Sequence, residues 1–186
     1  MDVPNTPESI AAEGPANDIP VPEAIRRIAN SEDRRLAWHF FVFFSRMEYA
    51  LKRSGKYLMP VEKAEPNWDK FGSDHDEAFR DSLSDPTQNA VDYIVANPPR
   101  YQIRQDGRMN WSEPRQRGTG PLLIWLFLCI RTVRNNLFHG GKFPLIPIGD
   151  PSRDRNLLMN ALVILNASLE LDQEVRNCFF DNLEDH

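Results

Sequence analysis

The run PLLIWLFLCI, residues 121–130, is the most apolar stretch of this chain, and RTVRNNLFHGGKFP, residues 131–144, turns abruptly polar behind it. Ten residues interrupted by Arg131 fall well short of the roughly 20 that a helix needs to cross a bilayer. The segment therefore has to be buried within the protein. Leu126, Ile130, Val133 and Leu137 recur at the spacing of one helix face. Pro121 sits where a first helical turn accepts proline, and Gly140 and Gly141 can supply a left-handed cap. A helix of this kind needs partners that cover it on several sides.

Helical partners are legible on both flanks. Ser31 is placed to cap a long helix with Glu32 and Asp33 in its first turn, and Leu36, Phe40, Phe43, Phe44, Met47 and Leu51 line one face up to Gly55. Trp38, Phe41 and Val42 widen that stripe, which predicts burial on more than one side, as in a core helix or one that also forms a subunit interface. MPVEKAEPNWDKFG reads as a connector anchored by Trp68 and Phe71. Two shorter helices follow, capped by Ser73 and Thr87, before the Pro98-Pro99 stop. The segment from Arg100 to Gly120 reads as a loop with a small hairpin around Asp106-Gly107. Asp150 and Pro151 open a last long helix with Leu157, Leu158, Ala161, Leu162 and Leu165 inward, and the tail from Asp172 has room for one more short helix. Residues 1–20, rich in Pro, Ala, Asn and acids, read as a flexible arm ahead of a single domain over 21–186. The fold class expected is an all-α bundle of four to five helices.

Composition places the chain among ordinary globular proteins, with 41% hydrophobic and 26% charged residues. Cys129 and Cys178 lack metal-site spacing and read as reduced thiols. With no secretory signal and no spanning segment, the expectation is a cytoplasmic protein without membrane contact. The net charge of -5 is unevenly distributed. Ten basic residues against four acids lie between Arg100 and Arg155, so the remainder carries the acidic excess. An anion-binding surface on an acidic protein has this pattern, as does a solvated loop.

The end of the apolar helix carries the chemistry. Arg131, Asn135 and His139 recur every fourth residue on one helix face, with Arg134 at its edge. Guanidinium forks suit phosphate oxygens, and imidazole can give or take a proton near neutral pH. This is a phosphodiester-handling set that needs no metal or cofactor. The same residues also describe a helix C-terminal cap, since Arg and His satisfy terminal carbonyls. Spacing alone does not separate these readings, because Arg34 and His39 repeat it without the asparagine or the glycines. His39 and His75 lack companions at metal-ligand spacing and read as bystanders, and Arg46 and Glu48 on the first helix read as an exposed or interface ion pair, with an approach to this helix end as the alternative.

The combination of apolar helix, Arg134-Asn135, three residues, His139 and Gly-Gly-Lys resembles the HEPN superfamily (higher eukaryotes and prokaryotes nucleotide-binding), whose signature is Arg, four to six residues, then His. VRNNLFHGGK looks most like the ApeA-like and related bacterial toxin or defence branches, and FVFFSRMEYALKRSG is similar to the first long helix of such domains. The resemblance implies a homodimer that joins two motifs in one cleft, and a metal-independent endoribonuclease acting as a toxin or phage-defence effector. It assigns catalysis to Arg134, Asn135 and His139; beside them, the basic residues Arg131, Lys142, Arg104 and Arg108 are candidates for holding the RNA backbone, with Trp111 or Tyr101 available for stacking and a solvated surface as the alternative for the loop residues. An antitoxin or a nucleotidyltransferase is the further partner implied. The alternative is a non-catalytic HEPN module that binds nucleotide, RNA or a protein.

Overall fold

The computed structural model describes residues 33–138 and 151–181. These residues belong to one packed unit, Glu32–His186. The arm over 1–20, the Ser31 and Asp150 caps, His139, the Gly140-Gly141 cap and Lys142 lie outside the described residues.

Among the described residues there are six helices and one hairpin: α1 (Asp33–Arg53), α2 (Trp68–Asp81), α3 (Asp85–Ala96), β1 (Gln102–Gln105), β2 (Arg108–Trp111), α4 (Leu122–Phe138), α5 (Pro151–Leu169) and α6 (Gln173–Phe180). The helical class agrees with the sequence reading; the sixth helix is the one that the tail after Asp172 had room for. Helix α4 packs on α2, α3 packs on α5, and α1 is flanked by α5 and α6.

Aromatic rings tie α1, α2 and α4 together. Phe44 stacks on Trp68 at 5.4 Å, Trp68 meets Phe127 at 5.0 Å, and Phe127 meets Phe71 at 5.8 Å between ring centroids. Each such ring buries about 150–250 Å², so this cluster is the centre of the core. In α4 the apolar run does what its hydropathy requires: Leu123, Leu126, Phe127, Cys129, Ile130 and Val133 are all buried. Burial pushes the Cys129 thiol up to about 12, which keeps it protonated and unreactive at neutral pH.

Two helix starts differ from the sequence reading. Helix α2 begins at Trp68, because the Asn67 side chain accepts from the Lys70 amide at 3.0 Å. Trp68 and Phe71 therefore lie inside a helix, and Ser73 is an interior residue. Helix α3 is entered through Ser84 and Pro86, and Thr87 is buried with its hydroxyl 3.0 Å from that of Ser84. In both cases an earlier polar residue took the start, and proline is as acceptable in a first turn as a capping threonine in front of one.

Helix α2 then positions α4 in two ways. Asp76 Oδ1 accepts the Leu123 amide at 2.7 Å, placing a carboxylate at the positive end of the α4 dipole. Gly72 lets the helices approach closely: a Cβ there would lie 2.9 Å from Ile124 Cγ1 and 3.1 Å from the Ile124 backbone nitrogen. Alanine elsewhere in a helix would gain up to about 1 kcal/mol over glycine, but overpacking costs about 1–3 kcal/mol. Gly72→Ala is expected to lose about 1–2 kcal/mol net, read as a lower urea midpoint; an unchanged or higher midpoint would show that the two helices separate freely.

The hairpin forms where Asp106-Gly107 was expected to turn. Both residues have positive φ, 51° and 76°, the pattern of a two-residue turn that matches strand twist. The register pairs Gln102 with Trp111, Ile103 with Asn110, Arg104 with Met109 and Gln105 with Arg108.

Candidate functional site

The last turns of α4 lie against α1, and the two helices run antiparallel there. Phe138 meets Phe41 with centroids 5.0 Å apart, and one turn earlier Arg134 sits beside Phe44 and Glu48. The Arg134 guanidinium carbon is 5.4 Å from the Phe44 ring centroid. Its Nη2 lies 3.6 Å from Glu48 Oε2, and its Nη1 donates to Asn135 Oδ1 at 3.0 Å. Ring, carboxylate and amide thus hold the fork from three directions.

That grip fixes orientation more than it consumes charge. The pair with Glu48 is long and partly solvated, with side-chain exposures of 36% and 27%, and pairs of this kind contribute about 0–1 kcal/mol. An incoming phosphate can exchange for the carboxylate at little cost, and two charge-assisted bonds to a phosphate would outweigh it. Asn135 and Arg131 are exposed on the same helix end. Among the described residues Arg131 has no carboxylate partner.

The sequence grouped Arg131, Arg134 and Asn135, and the structure puts Arg134 and Asn135 in contact. His139 and Lys142 lie outside the described residues. Arg104 and Arg108 are exposed on the hairpin, but their register sets them on opposite faces of the ribbon. They cannot grip one phosphate together. Tyr101 carries the Arg115 guanidinium at 5.4 Å over its ring. Arg153 is spent elsewhere, donating to the Pro98 carbonyl at 2.9 Å at the end of α3.

Two contributors lie outside the motif's Arg-Asn-His set, and the sequence left the partner of each open. Glu48 reaches Arg134 rather than Arg46, which instead donates through Nε to the Phe179 carbonyl at 3.0 Å and through Nη2 to the Asp181 carbonyl at 3.0 Å. Arg46 is the C-terminal cap of α6. The second is Asn136, buried on the inner face of α4, whose Nδ2 donates to the Arg100 carbonyl at 2.6 Å. This bond pins the root of the basic hairpin segment two residues from Arg134. An amide on an otherwise apolar stripe was the signal available for it. Asn136→Ala leaves that carbonyl without its donor and is expected to cost about 1–3 kcal/mol; hydrogen exchange at residues 100–112 should rise more than in α2, and a uniform change would refute the pinning role.

A separate polar cluster joins the loop after α1 to α2 and the α5–α6 turn. Asp172 Oδ2 takes Lys56 Nζ at 3.0 Å and the Tyr57 hydroxyl at 3.1 Å, and that hydroxyl is 2.8 Å from His75 Nε2. His75 Nε2 is also 3.4 Å from Asp172 Oδ2. If the tyrosine donates to the carboxylate, the imidazole must carry its proton on Nε2 and donate to the hydroxyl. Asp172 Oδ1 accepts the Glu174 and Val175 amides at 3.0 and 3.1 Å, so the carboxylate also caps α6. His75 is therefore no bystander, but Tyr57 is fully buried, and the cluster is built as a joint rather than a substrate site.

No group of three or more His, Cys, Asp or Glu among the described residues is arranged to hold a metal ion, and no described helix is long and apolar enough to cross a membrane. Comparison of the chain with protein-family models, with curated proteins and with solved structures found no match.

Proposed function

We propose that this chain is an endoribonuclease of the HEPN type whose active residues are Arg134, Asn135 and His139, and that it works without a metal as a homodimer with two motifs in one cleft. The observation that carries the reading is the Arg134 fork. It is held at the solvent edge by Glu48, Asn135 and the Phe44 ring, one turn before His139 in sequence. A structural cap would direct its guanidinium at terminal carbonyls, as Arg46 and Arg153 do. Arg134 is directed at side chains that a phosphate can replace.

In the reaction, a ribose 2'-oxygen attacks the adjacent phosphorus while its proton passes to a base. The bond from phosphorus to the 5'-oxygen breaks, and that oxygen takes a proton from an acid. The products carry a 2',3'-cyclic phosphate and a 5'-hydroxyl. His139 serves as acid or base, with its complement supplied by the second copy or by water. Arg134, with Arg131 nearby, stabilises charge on the non-bridging oxygens, and Asn135 fixes the angle of the fork. DNA lacks the attacking hydroxyl and is not a substrate. A toxin or defence role, with an antitoxin or nucleotidyltransferase as partner, belongs to the same reading through the resemblance of the motif.

The test is incubation of purified protein with total cellular RNA in EDTA, beside folded His139→Ala. Cleavage by the wild type alone, with cyclic phosphate ends, supports the enzyme. Equal or absent cleavage in both moves the reading to a non-catalytic module that binds nucleotide, RNA or protein through the same helix end. Light scattering tests the dimer, and a strict monomer removes the joint cleft.

A further inference from the structure

The stripe of α1 that was expected to face the core or a subunit interface is partly open. Trp38 is 60% exposed, Phe41 36% and Val42 41%, and Phe138 at the end of α4 is 48% exposed. These rings are not scattered. Trp38 lies 5.4 Å from Phe41 and Phe41 lies 5.0 Å from Phe138, tilted by 32° and 57°. A contiguous exposed aromatic cluster of this kind marks a binding surface.

Its surroundings are cationic. Helix α4 contains no acidic residue along its length, and α1 from Arg35 to Arg53 contains only Glu48, which is engaged by Arg134. Arg35 and His39 are exposed on the α1 side of the rings. On the α4 side, Arg131, Arg134 and Phe138 follow one helical stripe, so the Arg134 fork begins about 6 Å along the axis from the ring cluster. Exposed rings flanked by guanidinium groups are the two parts of a single-strand nucleic-acid site: π-faces for bases and cations for the backbone. A protein partner would find apolar rings inside a border where Glu48 is the one carboxylate along α4 and along α1 from Arg35 to Arg53, against the guanidinium groups of Arg35, Arg131 and Arg134.

We propose that Trp38, Phe41 and Phe138 form a stacking platform for an unpaired base of single-stranded RNA, whose phosphate then lies on the Arg134 fork. The inference rests on the ribonuclease reading and deepens it: the substrate is an unpaired segment, and because every base has a π-face the platform selects for single strands over sequence. Duplex RNA, with its bases stacked inside, cannot use it.

The experiment uses the full chain carrying His139→Ala, so that RNA is bound and not consumed, and Trp111→Phe, which removes another indole that is not buried. An oligouridylate of about 12 nucleotides, a size typical of single-strand sites, is titrated by anisotropy and by tryptophan emission, beside an equally long strand of abasic nucleotides. The expected result is quenching by oligouridylate and about tenfold weaker binding of the abasic strand. Trp38→Leu should abolish the quenching and weaken oligouridylate about tenfold while leaving the salt dependence of binding unchanged, since the phosphate contacts persist. Equal affinity for both strands, or an indifferent Trp38→Leu protein that still binds RNA, overturns the platform and leaves the ribonuclease reading standing. Failure of both strands to bind overturns both readings. Conversion of a dimer to a monomer by Trp38→Leu in light scattering assigns the face to a second copy and overturns the proposal.

Discussion

Arg134→Ala is expected to lower RNA cleavage about 10²- to 10³-fold, the effect of deleting one donor aimed at developing charge, while the fold loses only about 1 kcal/mol. The reason for the disparity is the environment of the fork. In the resting protein its partner Glu48 is partly solvated and 3.6 Å away, so little folding energy depends on it. In the proposed reaction, charge develops on the non-bridging phosphate oxygens, and a fork already oriented toward them contributes more to the rate than to the fold. Arg134→Lys separates charge from geometry: it keeps the cation but loses the bidentate fork and the second donor that Asn135 Oδ1 receives. Its rate should fall between wild type and alanine. Asn135→Ala, which frees the fork without removing it, should cost about tenfold, at the low end for a positioning contact. Single-turnover cleavage with urea midpoints on each variant checks the series. An Arg134→Ala protein that cuts at the wild-type rate would remove Arg134 from the chemistry.

What the sequence disclosed and what it withheld follow a physical line. Local periodicity was enough for α1, α4 and α5, because their apolar residues recur within a few turns and the pattern is the cause of the burial. The Asp106-Gly107 turn was equally readable, since few residue pairs tolerate two positive φ values. Starts of α2 and α3 were misplaced by a few residues, because Asn67 and Ser84 compete with Ser73 and Thr87 as capping residues and only packing of Trp68 and Thr87 decides between them. For Trp38, Phe41 and Val42 the sequence left a core helix and a subunit interface open, and their exposure in the single chain goes against the first alone. Hydropathy says what a side chain prefers, and no rule of spacing says whether a neighbour exists to cover it. At the candidate site, Arg134 and Asn135 are adjacent in sequence and their contact was legible. Glu48 and Asn136 act across long loops, on Arg134 and on the Arg100 carbonyl; an amide on an apolar stripe marks Asn136 as a group that needs a partner, but nothing local names the partner of either.

Asp172 also acts across most of the chain, and its replacement should have the largest effect on stability. One carboxylate serves four donors: the Lys56 ammonium and the Tyr57 hydroxyl on Oδ2, and the Glu174 and Val175 amides on Oδ1. Asp172→Ala removes an N-cap, about 1 kcal/mol, and takes the carboxylate from the Lys56 ammonium and from the buried Tyr57 hydroxyl, which must then turn to His75 Nε2, about 1–2 kcal/mol more, for an expected loss of about 2–3 kcal/mol. The pH dependence identifies the charge. Although burial opposes ionisation, the amides of α6 and the Lys56 ammonium hold this carboxyl down at about 2 against 3.8 for a free side chain. A depressed carboxylate stabilises the fold fully above the unfolded value and loses that contribution as pH falls through the folded one, here about 2 kcal/mol between pH 4 and 2. His75 adds to the same slope at higher pH. Burial lowers its pKa below 6.5, so protonation disfavours the folded state and stability begins to fall beneath that value. Asp172→Asn keeps an oxygen for the α6 amides and removes the charge. Its deficit relative to wild type should therefore be full at pH 7 and shrink as pH falls toward 2, whereas the His75 slope that sets in below pH 6.5 should remain. Urea unfolding at intervals from pH 7 to 2.5 measures both, and a wild-type to variant gap that stays constant with pH would mean that Asp172 acts in the fold as a neutral cap and not as a charge.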